Sequence, residues 1–283
     1  MYKIGLSTCG KKELLGNAFL DECKSNNIEY IEISCNSDMI FSFDYESFIS
    51  YAKKLGITVW SFHLPFCNID ISVLDDELRK KAIDYFETII KKFSGYGIHR
   101  FIIHPSSEPI DNEIRVQRLN ASKKSLTELA DIAENYNSVL SVENLPRTCL
   151  GKNSDEMLEL LSADERLSVS FDTNHLLEES QVDFISKIGN KIETLHVSDY
   201  DFVNERHWLP GEGKTDWSSV VSTLLKVGYK GPWLYEILFQ CPKTIIRNRD
   251  LKCKDFEINA NEIFNGRPLS TFSKHKENLG MWE

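Results

Sequence analysis

Residues 169–177, VSFDTNHLL, place two strong metal ligands at the end of an apolar run. Asp172 and His175 carry a carboxylate and an imidazole, side chains that divalent cations bind readily in proteins. Polar residues with the same chemistry end other apolar runs or follow them closely. They are His63, His104, Glu143, His196, Asp199, Glu205, His207 and Glu236. This recurrence indicates one shared polar site rather than a set of unrelated surface residues.

Four of these residues form a set that suits a hard or borderline divalent cation. They are Glu143, Asp172, His196 and Glu236. Three carboxylates in one pocket would repel one another strongly unless a cation lay among them. Carboxylate and imidazole ligands favour Mn²⁺, Mg²⁺ or Co²⁺, and Zn²⁺ is also compatible with them. We therefore predict one divalent metal ion with open positions for a chelating substrate.

The segments that must position this site alternate between strand-like and helix-like patterns. The runs predicted as strands are 3–8, 30–35, 58–65, 100–106, 138–146, 167–175, 192–201 and 231–238. Between them, apolar residues recur every three or four positions, as at Leu78, Ala82 and Phe86, which is typical of amphipathic helices. A closing helix is predicted around 255–264.

Eight β/α alternations without a linker or a shift in composition predict a single (β/α)₈ TIM barrel. We expect one domain over residues 1–283, with the barrel at about 3–265 and a C-terminal tail at about 266–283. An open doubly wound sheet is the alternative, but it usually carries a glycine-rich first turn, which residues 9–12, CGKK, do not supply. In a barrel the polar residues would meet at the C-terminal ends of the strands.

Composition narrows the classes of function. The chain has 33 basic and 43 acidic residues, and its net charge of −10 disfavours a nucleic-acid partner. Its seven cysteines are scattered and contain no C-x-x-C pair, so neither a disulfide framework nor a thiolate zinc site is predicted, and a cytoplasmic location is expected. The sequence offers no export signal and no apolar stretch long enough for a membrane span, and it leaves the oligomeric state, including a homo-oligomer, open.

Six motifs together carry a family resemblance. They are HLP at 63–65, HP at 104–105, VENLP at 142–146, FDTNH at 171–175, LHVSDYD at 195–201 and HWLPGEGKTDW at 207–217. In order and spacing they resemble the xylose-isomerase-like TIM barrel superfamily over about residues 3–238. That superfamily includes sugar and sugar phosphate isomerases and epimerases, among them ketose 3-epimerases, and the endonuclease-IV-like AP endonucleases.

The resemblance implies roles for individual residues. Ketose 3-epimerases hold one divalent metal with ligands that match Glu143, Asp172, His196 and Glu236. In those enzymes the two glutamates, here Glu143 and Glu236, are also the catalytic acid and base, and the histidine matching His175 contacts substrate. The predicted substrate-binding set is His63, His104, His175, Glu205, His207 and Trp208, although the histidines are also compatible with further zinc sites.

The activity expected from this set is isomerisation or epimerisation of a small carbohydrate, phosphorylated or not. One carboxylate would remove a proton next to the carbonyl, a metal would stabilise the enediolate, and the second carboxylate would return a proton. The alternatives are a zinc phosphodiesterase resembling endonuclease IV, a dehydratase of a polyol-derived ketone, and a non-catalytic barrel. Trp60, Phe62 and Trp217 are further candidate sugar-stacking residues, whereas Arg147 and Lys152 are interpreted as solvated surface charges.

Overall fold

The computed structural model describes residues 2–9, 11–276 and 279. Its main sheet contains eight parallel strands, and all eight predicted strands are confirmed. They are β1 (Ile4–Ser7), β2 (Ile28–Ser34), β3 (Thr58–His63), β4 (Arg100–Ile103), β5 (Val139–Glu143), β6 (Ser168–Asp172), β7 (Ile192–His196) and β8 (Trp233–Tyr235). Neighbouring strands follow chain order, and β8 pairs with β1. A parallel bridge between Val197 and Tyr235 joins β7 to β8, so the sheet closes into the predicted (β/α)₈ barrel.

Helices follow the strands around the outside of the barrel. They are α1 (Asn17–Ser25), α2 (Tyr45–Lys54), α3 (Asp76–Gly95), α4 (Arg115–Asn135), α5 (Ser154–Leu161), α6 (Gln181–Ile188), α7 (Trp217–Lys226) and α8 (Cys253–Phe264). Side-chain caps fix several of the starts, because a short polar side chain accepts hydrogen bonds from amides that the helix leaves unpaired. The capping residues are Asp44, Asp75, Asn153, Ser180 and Asp216.

The alternation of side chains along each strand separates an apolar layer from a polar interior. Phe62 on β3 points outward and packs on Phe93 of α3, with ring centroids 3.9 Å apart. The next residues on either side, Ser61 and His63, are buried on the inner face, where Ser61 donates a hydrogen bond to Glu32 of β2. The barrel interior near its C-terminal mouth is therefore lined by polar groups rather than by branched apolar side chains.

The seventh strand ends earlier than predicted, at His196 instead of residue 201. Asp199 is the cause, because its buried carboxylate accepts hydrogen bonds from the backbone amides of Gly211 and Thr215 and from the indole of Trp217. These bonds fold the loop after β7 back over the barrel. The loop carries three of the predicted site residues, Glu205, His207 and Trp208.

The C-terminal part of the described chain packs against that loop. A short ribbon pairs β9 (Ile245–Arg247) antiparallel with β10 (Ser273–His275), which lies within the predicted tail. Arg247 and Glu212, both with fully buried side chains, form an ion pair at 2.7 Å that joins β9 to the loop after β7. None of the described helices has the length and hydropathy of a membrane span. That residues 1–283 form one domain stays a prediction.

Candidate active site

Four side chains converge at the C-terminal mouth of the barrel. Glu143 ends β5, Asp172 ends β6, His196 ends β7 and Glu236 follows β8. Each offers one ligand atom, and the four atoms lie within 4.8 Å of one another. The Glu236 side chain is 15% exposed, and the other three are at most 1% exposed. We call this group the carboxylate quartet.

One fully buried oxygen of the quartet has no hydrogen-bond donor among the described residues. Asp172 Oδ1 accepts bonds from the backbone amide and side-chain amide of Asn174, at 2.7 and 3.0 Å. Asp172 Oδ2 is buried without a partner, and the nearest ring nitrogen of His175 lies 3.7 Å away. A buried carboxylate oxygen is costly to leave unpaired, whereas a divalent cation would satisfy it. The donor set therefore fits a metal ion.

Histidines surround the central carboxylate. Glu143 Oε1 lies 2.9 Å from His196 Nδ1, and its Oε2 lies 2.9 Å from His63 Nε2 and 3.1 Å from His104 Nε2. Burial disfavours the charged form of Glu143, but the imidazoles of His196 and His104 outweigh it and hold the pKa well below its ordinary value. For Glu236, burial dominates and the charge of Glu143 adds to it, so the pKa is raised despite His196.

A second group of ligand-type residues lies beside the quartet. His175, Glu205 and His207 bring one ligand atom each within 4.8 Å of the others, as His63, His104 and Glu143 also do. His175 Nε2 lies 3.1 Å from Glu205 Oε2, and its Nδ1 donates to the carbonyl of Asn144 at 2.9 Å. Burial opposes the charge on His175, yet Asp172 and Glu205 raise its pKa to about 10. Every predicted histidine thus lies at this mouth.

The quartet opens into a cavity of about 760 Å³. Phe66 forms an aromatic wall of the cavity, because the residue is 44% exposed and its ring stacks on His104 with centroids 4.3 Å apart. Asp38, Glu108 and Glu205 add carboxylates to the lining. The sequence offered little signal for Phe66, since it lies in a loop without regular spacing.

The predicted tryptophan contact is not part of this cavity. Trp208 is fully buried, donates its indole N–H to Thr244 Oγ1 at 2.9 Å and stacks on His275. The physical reason is an antiparallel bridge between Asp199 and Trp208, which turns the side chain toward the C-terminal ribbon. Phe62 and Trp217 are buried in the apolar layers, and Trp60 lies beside Arg100 in a separate small pocket.

Arg147 is not the solvated surface charge that the sequence suggested. Its side chain is 11% exposed and lines the cavity, where it binds the carboxylates of Glu108 and Glu205. Burial of the guanidinium is therefore compensated by two acidic neighbours. Lys152 pairs with Glu178 at 2.8 Å and lies outside the cavity lining, in agreement with the prediction.

Sequence reasoning overlooked Glu32. This residue lies on β2, is completely buried, and places its carboxylate 3.0 Å from His196 Nε2. A charged residue in the strand-like run YIEIS was the available signal, because an inward-facing glutamate in a barrel strand requires a partner. The predicted site residues lie at or after the ends of strands, whereas Glu32 lies two residues before the end of β2.

The comparisons with known proteins agree with this architecture. The family described as xylose isomerase-like TIM barrel matches residues 20–247, and the chain belongs to this family. Fructoselysine 3-epimerase from Shigella flexneri is 28% identical over 81% of this chain and 87% of its own length. An uncharacterized protein of Methanocaldococcus jannaschii is 22% identical over 80% of this chain and 88% of its own.

Solved structures with the same fold include several epimerases. A D-tagatose 3-epimerase-like protein superposes with a TM-score of 0.76 at 20% identity, covering 93% of this chain and 96% of its own. D-psicose 3-epimerase from Clostridium cellulolyticum H10 superposes with a TM-score of 0.72 at 20% identity, covering 86% and 87%. At these identities the superpositions establish the shared fold.

Proposed function

We propose that the protein is a divalent-metal-dependent isomerase or epimerase that acts on a carbohydrate. The observation that carries this proposal is the buried carboxylate quartet, in which Asp172 Oδ2 has no donor among the described residues. Membership in the xylose isomerase-like family and the relative named as a fructoselysine 3-epimerase support a sugar as the substrate. Seven free thiols support a reducing compartment such as the cytoplasm.

In this proposal Glu143, Asp172, His196 and Glu236 hold the metal. The bound cation supplies positive charge that stabilises the oxygens of a sugar carbonyl and its neighbouring hydroxyl. Glu143 ends β5 and Glu236 follows β8, three strands away around the barrel, and they are proposed to flank opposite faces of the substrate. One removes the proton next to the carbonyl, and the other returns a proton to the opposite face, which inverts that carbon. Return to the adjacent carbon would instead interconvert an aldose and a ketose.

The polar residues around the quartet are proposed to orient the substrate. His63, His104, His175 and His207 line the cavity, where sugar hydroxyls need donors and acceptors. Phe66 offers an exposed ring face on which the apolar side of a sugar ring can stack. Glu205 is proposed to hold His175 in place through their 3.1 Å contact.

The charge of the cavity favours a substrate without a phosphate group. Among the described lining residues, Arg147 is the single lysine or arginine, and its guanidinium is already bound by Glu108 and Glu205. Asp38 adds a further carboxylate at the rim. An anionic substrate would meet these carboxylates at close range, whereas an uncharged ketose would not.

Solvent-deuterium exchange tests the proposed reaction directly. Purified protein with Mn²⁺ would be incubated in D₂O with a panel of ketoses, aldoses and their phosphates, and deuterium at carbon would be followed by NMR. We expect exchange with at least one free sugar, because enolisation exchanges the proton whatever the final product. Absence of exchange with every sugar, in protein that binds Mn²⁺, would contradict the proposed function. Exchange limited to sugar phosphates would contradict the substrate class alone.

A second candidate function rests on the two outer clusters. His63, His104 and Glu143 on one side, and His175, Glu205 and His207 on the other, have the spacing of additional metal sites. Three cations would suit a phosphodiesterase, because several metals activate water and stabilise the leaving oxygen. Metal analysis of untagged protein separates the two. We expect one exchangeable ion and no incision of abasic DNA, whereas three zinc ions with metal-dependent incision would favour the phosphodiesterase.

A dehydratase is a further alternative on the same site. It would share the first proton removal and then expel a β-hydroxyl group from the enediolate. Product analysis of the exchange reaction distinguishes it, because dehydration releases water and yields a dicarbonyl compound instead of an isomer.

A further inference from the structure

His196 contacts carboxylates through both of its ring nitrogens. Nδ1 faces the quartet and lies 2.9 Å from Glu143 Oε1 and 3.4 Å from Glu236 Oε2. Nε2 faces away from it and lies 3.0 and 3.1 Å from the two carboxylate oxygens of Glu32. The side chains of His196 and Glu32 are completely buried, so water does not compete for these contacts.

We propose that Glu32 is a positioning residue that sets which nitrogen of His196 binds the metal. A neutral imidazole carries one proton, and an ionised carboxylate can only accept a hydrogen bond. With a cation in the quartet displacing the proton from Nδ1, the Glu32 carboxylate would keep the remaining proton of the ring on Nε2 and leave the lone pair of Nδ1 to bind the cation. A carboxylate partner also makes the ring a stronger ligand. This inference rests on the proposed metal-dependent function.

The surroundings of Glu32 support a role through His196 and not through substrate. Glu32 does not line the cavity, and it lies deeper in the barrel on β2. Ser61 Oγ donates a hydrogen bond to Glu32 Oε2 at 2.8 Å and so fixes the carboxylate from the neighbouring strand. A buried carboxylate with such limited compensation is costly. Its retention beside a proposed metal ligand is explained by the orientation it imposes on that ligand.

The test compares the Mn²⁺ affinity of Glu32→Gln with that of the unaltered protein. The glutamine has the same shape but no negative charge, and its amide nitrogen can donate to Nε2, so the proton is held on Nε2 less firmly and the lone pair of Nδ1 is less available to the metal. We expect the dissociation constant for Mn²⁺ to rise roughly tenfold to hundredfold, measured by calorimetry or by the electron-spin signal of free Mn²⁺. Glu29→Gln is the matched control, because Glu29 lies on the same strand but pairs with Lys3 at the surface. We expect its affinity for Mn²⁺ to be unchanged.

A folded Glu32→Gln protein, verified by circular dichroism, that binds Mn²⁺ as tightly as the control would overturn the inference. If Glu32→Gln does not fold, ¹⁵N NMR of the histidine rings in the unaltered, Zn²⁺-loaded protein decides the question. A proton on Nε2 of His196 with Nδ1 unprotonated supports the proposal, and the reverse tautomer refutes it. These outcomes are distinct from failure of the proposed function, in which the unaltered protein would bind no metal or exchange no sugar proton.

Discussion

The two ends of the barrel use the same strands for opposite electrostatic purposes. At the N-terminal end, Arg100 of β4 donates to Glu193 of β7 at 2.6 Å, and its guanidinium lies 3.7 Å from the ring centroid of Trp60 on β3. The positive charge of Arg100 and the negative charge of Glu193 balance each other. His63, His104 and His196 lie three or four residues further along these strands. They belong to or surround the carboxylate quartet, in which three of the four side chains are carboxylates.

The difference shows that one end of the barrel contributes to stability, whereas the proposed chemistry lies at the other end. At the N-terminal end, a positive and a negative side chain pair with each other beside an aromatic ring, so this end needs no bound ion to offset its charges. At the other end, buried carboxylates are in excess, and their repulsion raises the free energy of the site without a metal. A bound cation would offset this repulsion. The four predictions below test this contrast.

The largest effect is expected from Glu143→Gln and Glu236→Gln. A neutral amide cannot accept the proton next to the carbonyl, so deuterium exchange into substrate should fall by about 10²–10⁴-fold in each variant. Glu193→Gln at the opposite end is the control and should retain exchange. Mn²⁺ binding must be measured alongside, since a variant that loses metal also loses exchange. Undiminished exchange in either glutamine variant that still binds Mn²⁺ would reject the two-carboxylate mechanism.

Removal of metal should destabilise the fold through the quartet. A ligand present at a hundred times its dissociation constant stabilises the native state by about 2.7 kcal/mol. For a chain of 283 residues, with an unfolding entropy of about 2.1 cal/mol/K per residue, that corresponds to a shift in melting temperature of roughly 4–5 °C. Differential scanning calorimetry after chelation and after return of Mn²⁺ measures it. An identical melting curve in all three samples would count against a metal at this end of the barrel.

Metal binding should weaken as the pH falls. The carboxylates of Glu236, Glu32 and Glu143 overcome burial and raise the pKa of His196 well above its ordinary value, so without metal the ring holds a proton at neutral pH. Because Mn²⁺ must displace that proton, each decrease in pH favours the protonated ring over the metal complex. Calorimetry in two buffers with different ionisation enthalpies should report proton release. No proton release at pH 7 would contradict the prediction that Mn²⁺ displaces a proton from His196.

The smallest effect is expected at the balanced end. Arg100→Ala removes a half-exposed ion pair and a cation–π contact, each worth about 0.5–1 kcal/mol or less, so unfolding in urea should shift modestly. Mn²⁺ affinity should not change. A large loss of metal binding in this variant would show that the two ends are coupled and that the contrast between them is wrong.

Local pattern was sufficient for most of the architecture. Strand and helix periods depend on neighbouring residues, and the eight strands and the closing helix, which begins two residues earlier than predicted, follow from them. The parallel barrel then brings the ends of β5, β6 and β7 together. For this reason, the sequence predicts the candidate metal ligands from their positions at or just after strand ends. These residues are Glu143, Asp172, His196 and Glu236.

Contacts between segments that are distant in sequence determine the side-chain environments that local sequence pattern does not predict. Trp208 follows the site histidines in sequence, but its bridge to Asp199 and its contact with Thr244 place it in the core. Arg147 was predicted to be a surface charge, but in the folded chain it pairs with Glu108 and Glu205, which lie on other loops. Glu32 acquires a role from His196, which lies 164 residues away along the chain. Residue types and periods encode the strands and their reactive ends, whereas the partner of each buried charge depends on closure of the barrel.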